Sequence, residues 1–127
     1  MSLTVRSTEK MPGVFILYPV GRLDSNTYPV LEKKVEYLLR EGQARHLTLD
    51  MTGVDFISSM GVRVVLKAHR DLKQRGGLLS MMNLQPQIQK VFEIINALPS
   101  MRIYSSIQEL DEYLFEMQEQ TKGKSYK

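Results

Sequence analysis

Four stretches of this chain carry apolar residues at helical spacing, and a short strand-like run precedes each of them. That alternation constrains the fold more than any other feature. A strand that feeds a helix and then another strand returns to the same sheet by a right-handed crossover. The pattern therefore demands an α/β sheet with parallel neighbours.

Leu3, Val5 and Ser7 alternate with Thr4 and Arg6, the period of a strand. Pro12-Gly13 marks a turn. Val14 to Val20 is almost continuously apolar and reads as a buried central strand. Gly21-Arg22-Leu23-Asp24-Ser25 breaks that pattern. A helix then starts near Ser25 to Thr27, with Pro29 tolerated in its first turn. Its stripe is Leu31, Val35, Leu38 and Leu39, and Gly42 ends it.

His46 to Met51 alternates as a third strand, and Thr52-Gly53 turns the chain. Val54 to Ser59 reads as a short connection of mixed character. A helix from about Met60 to about Gln74 follows, with Val62, Val65, Leu66 and Leu72 facing inward and Gly76-Gly77 closing it. Leu78 to Met82 reads as a fourth strand. Pro86 opens a helix with Ile88, Val91, Phe92 and Ile95 on one face, ended by Pro99. Met101 to Tyr104 reads as a fifth strand, and Ile107, Leu110, Leu114 and Met117 as the stripe of a last helix.

The order is β-β-α-β-α-β-α-β-α. It predicts a mixed, mostly parallel sheet of about five strands with about four helices, carrying one antiparallel pair from the opening hairpin. The narrow helix stripes predict helices mainly on one face. A length of 127 residues fits one domain, expected over residues 1–120, with a disordered polar, basic tail at 121–127.

Charge excludes one class of function. The 17 basic residues exceed the 14 acidic ones, a net charge of +3. Lys122, Lys124 and Lys127 account for the whole excess, so the body is neutral and lacks the basic stripe of a nucleic-acid protein. The chain has no cysteine, which removes disulfides, thiol catalysis and cysteine-rich zinc sites. No apolar run approaches the roughly 20 residues that span a bilayer, and Met1 to Lys10 lacks the apolar core of a secretion signal. A cytoplasmic protein is expected.

The chemistry concentrates in Asp55-Phe56-Ile57-Ser58-Ser59-Met60-Gly61-Val62-Arg63, where a strand-like run passes into a helix N-terminus. That edge of an open α/β sheet is where ligands and modifications tend to sit. A helix start presents free N–H groups and partial positive charge, so a phosphate on a serine there is electrostatically favourable. It would add about −1.5 to −2 charges at neutral pH.

The stretch Phe56-Ile57-Ser58-Ser59-Met60-Gly61 resembles the signature of STAS domains. Gly21-Arg22-Leu23-Asp24 resembles the Gly-x-Leu-Asp of that family before its first helix, and the element order is similar over residues 3–117. The resemblance is to the anti-sigma-factor-antagonist type. It implies a regulatory binding protein with no catalysis of its own and no cofactor. It also implies Ser59 as phosphoacceptor, with Ser58 as second choice. The implied partners are an anti-sigma factor that is itself a serine kinase, and a phosphatase that resets the cycle. Asp24 would lie beside Ser59, near the nucleotide of the kinase. Ser58 stands where several family members carry aspartate, and Met60 is larger than the usual small residue.

Each candidate has a plainer role beside the functional one. Ser59 or Ser58 can serve as a helix cap, and Asp24 as a turn aspartate. Arg63, Lys67 and Arg70 form a solvated helix face or a stripe that docks an acidic partner. The expected partner-binding set is Asp24, Ser58, Ser59, Met60, Gly61, Arg63 and Lys67. His46 and His69 share no motif and suggest no metal site. Two other functions compete. A hydrolase with a serine nucleophile would need a base beside it, and Gly-x-Ser-x-Gly is absent. A non-switching STAS scaffold in a transport or stress-signalling complex would keep the same fold and serine.

Overall fold

The computed structural model of the chain describes residues 2–97, 112, 115, 116 and 118–121. The elements run β1 (Leu3–Met11), β2 (Val14–Leu23), α1 (Tyr28–Arg40), β3 (His46–Asp50), β4 (Gly53–Ile57), α2 (Ser59–Gln74), β5 (Leu78–Met82) and α3 (Pro86–Ala97). Residues 112, 115, 116 and 118–121 are helical as well.

The five strands form one mixed sheet with β2 as its axis. β1 pairs antiparallel along one edge of β2. The other edge is shared: Val14 to Leu17 lie beside β3, and Val20 to Leu23 beside β4, both parallel. β5 runs parallel along the outside of β3, from His46↔Leu78 to Asp50↔Met82. Pro19, which has no N–H to give, falls in the gap between the two partner strands.

Three sequence expectations change. Val54 to Ser59 is not a connection: its first four residues belong to β4. Val54 and Phe56 alternate over too few residues to mark a strand, and the end of β2 supplies the pairing that makes one. Gly21-Arg22-Leu23 does not break the pattern either, because β2 runs on to Leu23. Gly21 has φ +128, and a Cβ there would collide with the Ser2 carbonyl oxygen. Only glycine lets the strand bulge here while Arg22 and Leu23 stay in register with Phe56 and Ile57. Leu66, expected inside, is 43% exposed. The buried stripe of α2 centres on Gly61, Val65, Ala68 and Leu72, and Leu66 lies about 100° beyond Val65. The expected strand at 101–104 and the stripe Ile107, Leu110, Leu114 and Met117 lie outside the described residues, as does the tail from 122 onward.

The remaining stripes lie where periodicity puts them. Leu31, Val35, Leu38 and Leu39 of α1 are buried, and Ile88, Val91 and Phe92 of α3 join the same core. On β2 and β3 one face is buried through Phe15, Leu17, Leu47 and Leu49. The opposite face carries Tyr18 under the Arg6 guanidinium at 4.7 Å, and Thr48 hydrogen-bonded to Ser80 at 2.9 Å. Over these strands the sheet is one-sided, as the narrow helix stripes imply.

Candidate functional site

β2 and β4 end side by side, with Leu23 opposite Ile57. The Ser58 N–H donates to the Leu23 carbonyl at 2.9 Å. Asp24 and the pair Ser58-Ser59 therefore leave the sheet together at its carboxyl edge, where open α/β sheets place their sites.

Ser58 is the cap. Its backbone is extended, and its Oγ accepts from the Gly61 N–H at 3.4 Å. Ser59 is then the first residue of α2, at the positive end of the helix dipole. Both serines are covered: Ser58 is 6% exposed and Ser59 4%. Helical phase puts Ser59 in line with Arg63, Leu66 and Arg70, which are exposed. The covering of Ser59 thus comes from its surroundings, not from its direction on the helix.

Gly61 holds the helix against the sheet. A Cβ there would stand 2.8 Å from Leu23 Cγ, the Leu23 carbonyl oxygen and Ile57 Cγ1. The residue is buried, and within the protein its part is close packing.

Asp24 builds the turn into α1. Its Oδ1 accepts from the Asn26 N–H at 2.9 Å and the Thr27 N–H at 3.1 Å. Its Oδ2 lies 3.5 Å from Arg22 Nε. Burial pushes its pKa up, but the hydrogen bonds from Asn26, Thr27 and Arg22 outweigh that and hold it below the usual 3.8. Thr27 is the N-cap of α1 but does not cap it through its side chain. Its hydroxyl donates back to the Arg22 carbonyl at 2.6 Å and fixes the turn instead.

Met60, Arg63 and Lys67 line an open groove of about 500 Å³ between α2 and α1, with Tyr28 and Glu32 opposite. Lys67 pairs with Asp71 at 3.4 Å, one helical turn on. Arg63 Nη1 sits 3.9 Å from Met60 Sδ. His46 and His69 are both exposed, and among the described residues no three acidic or histidine side chains gather as a metal site.

Sequence reading missed a row of glutamines. β5 does not reach as far as β4, and among the described residues no strand pairs with the outer edge of β4. Side-chain amides serve it instead. Gln85 Nε2 donates to the Thr52 carbonyl at 2.9 Å, and Gln87 Nε2 to the Asp55 carbonyl at 2.9 Å. Gln118, 1% exposed, takes both groups of Ile57. Its Oε1 accepts from the Ile57 N–H at 3.0 Å, and its Nε2 donates to the Ile57 carbonyl at 2.7 Å. Beside this pair, the Phe56 ring lies under the Arg22 guanidinium at 4.0 Å and edge-on to Phe115 at 5.9 Å. No periodicity announces such contacts, because the partners are 30 or more residues apart in sequence.

These features define an α/β module with a mixed sheet and a hydroxyl-capped helix at its carboxyl edge, beside a turn built by aspartate. The STAS domain model matches residues 6–110, and the chain belongs to that family. BtrV of Bordetella bronchiseptica, provisionally named an anti-sigma factor antagonist, is 35% identical over 94 residues, which cover 74% of this chain and 78% of BtrV. Among solved structures, the anti-sigma factor antagonist SpoIIAA in its unphosphorylated form is similar with a TM-score of 0.62 at 21% identity, covering 72% of this chain and 83% of SpoIIAA. The Bacillus cell fate determinant SpoIIAA in its phosphorylated form is similar with a TM-score of 0.61 at 20% identity over the same shares. At that identity the two structures support the fold.

Proposed function

We propose that this protein is a cytoplasmic anti-sigma factor antagonist, switched off by phosphorylation of Ser59. It binds an anti-sigma factor that is a serine kinase and thereby releases the sigma factor. The kinase transfers the γ-phosphoryl of ATP to the Ser59 hydroxyl, and a phosphatase removes it. The protein itself catalyses nothing and reads its state through surface charge. The likeness to BtrV supports this reading, and so do the two forms in which SpoIIAA has been solved.

The observation that carries the proposal is the place of Ser59. It is the first residue of α2, beside the aspartate turn, with its neighbour Ser58 already spent as the cap. The helix dipole tolerates about −1.5 to −2 charges at that point, while a surface fitted to the unmodified protein does not. Because Ser59 is 4% exposed, the start of α2 has to open before a kinase reaches it.

The same burial favours one alternative, a non-switching STAS scaffold in which the serines only shape the helix start. Intact-mass and peptide mass spectrometry after incubation with ATP, Mg²⁺ and a cognate serine kinase separates the two. One phosphoryl group mapped to Ser59, absent in Ser59→Ala, is the expected result. Stable kinase binding with no phosphoryl transfer supports the scaffold instead.

A further inference from the structure

The outer edge of β4 ends at Ile57, one residue before the cap of α2. In a sheet, a neighbouring strand would satisfy the Ile57 N–H and C=O. Here one side chain does both, through the two bonds of Gln118 at 3.0 and 2.7 Å. The amide imitates a peptide unit, with its acceptor against the N–H and its donor against the C=O. Gln118 is 1% exposed, so its loss would leave buried polar groups with nothing to replace it. Beside it, the Phe115 ring meets the Phe56 ring. Gln118 and Phe115 therefore hold β4 at two consecutive residues. Two positions beyond Ile57 lies Ser59, covered although its helical phase points outward. Between them the chain has little slack. Ser58 is tied by its N–H to Leu23 and by its Oγ to Gly61.

We propose that Gln118 is a positioning residue for the start of α2: its amide closes the outer edge of β4 and keeps Ser59 covered, so its hold on Ile57 sets how readily Ser59 is reached. The covering of Ser59 is independent of the switch, but its regulatory meaning rests on the function proposed above. Whatever displaces Gln118 releases Ile57 and lets the helix start open.

The absence of cysteine makes a direct test available. Ser59→Cys introduces the protein's single thiol, and its rate of alkylation by iodoacetamide under native conditions reports the opening of position 59. In the Ser59→Cys background, Gln118→Leu keeps the apolar bulk and removes both hydrogen bonds. Alkylation is expected to quicken by roughly ten- to a hundredfold, the factor that corresponds to losing two net buried hydrogen bonds. Phe115→Ala, which leaves the amide in place, is expected to quicken it less. Hydrogen exchange of the β1 and β2 amides serves as the control and stays unchanged. Equal alkylation rates with and without Gln118 overturn the proposal. So does faster alkylation accompanied by equal loss of β1–β2 protection, which is global destabilisation. None of these readouts depends on a kinase, so failure of Ser59 phosphorylation is recognised separately.

Discussion

Asp24 shows how one carboxylate serves fold and site together. Three residues donate to it or pair with it, and they hold its pKa below the ordinary value. A carboxylate whose folded pKa is depressed contributes stability that is fully present above its unfolded pKa, about 3.9, and is lost as pH falls through the folded value. Asp24→Asn keeps an acceptor but removes the charge. Its urea midpoint at pH 7 is expected to show a loss of about 0.5–1 kcal/mol. That gap begins to narrow below about pH 4, as the unfolded carboxylate takes up protons, and closes only once the pH has fallen below the lowered folded pKa. A gap that stays constant with pH would show that the charge contributes nothing.

At the scale of elements, α2 is positioned by what it lacks. Gly61 lets the first turn approach Leu23 and Ile57 more closely than any side chain permits. Gly61→Ala gains helix propensity but forces backbone and core apart, and is expected to destabilise by about 1–3 kcal/mol in urea unfolding. Leu66 on the same helix gives the contrast. It is 43% exposed, so Leu66→Ser is expected to change stability by no more than about 0.5–1 kcal/mol. If Leu66→Ser instead matched Gly61→Ala, the buried stripe of α2 would have to be redrawn. β3 and β4 form a second instructive pair. They share one edge of β2, but among the described residues only β3 has a strand outside it, and the amides of Gln87 and Gln118 bond the outer edge of β4.

For the whole molecule, the exposed features around Ser59 belong to one surface. The groove between α1 and α2, the side chains of Arg63 and Lys67, and the aspartate turn all adjoin the carboxyl edge of the sheet. A charge placed at Ser59 is felt across that surface. Ser59→Asp is expected to lower affinity for the anti-sigma factor at least tenfold in isothermal titration, and Ser59→Ala to bind it as the unmodified protein does, with or without ATP. Tight binding by Ser59→Asp would remove phosphorylation of this residue as the control of the interface.

Much of this was legible in the sequence. Local periodicity and turn chemistry determined the positions of β1, β2, β3 and β5, the three helices α1 to α3, the stripes of α1 and α3, and the helix start at the serine pair, because each depends on neighbours within a few residues. The motifs around Asp24 and Ser59 pointed to the carboxyl edge for the same reason. Only the tertiary structure decided the rest. Five residues of β4 are too few to announce a strand, and become one through the end of β2. Which of the two serines caps α2 depends on where β4 lets go of the sheet. The burial of Ser59 and the hold of Gln118 on Ile57, 61 residues away, arise only when the folded chain brings distant groups together.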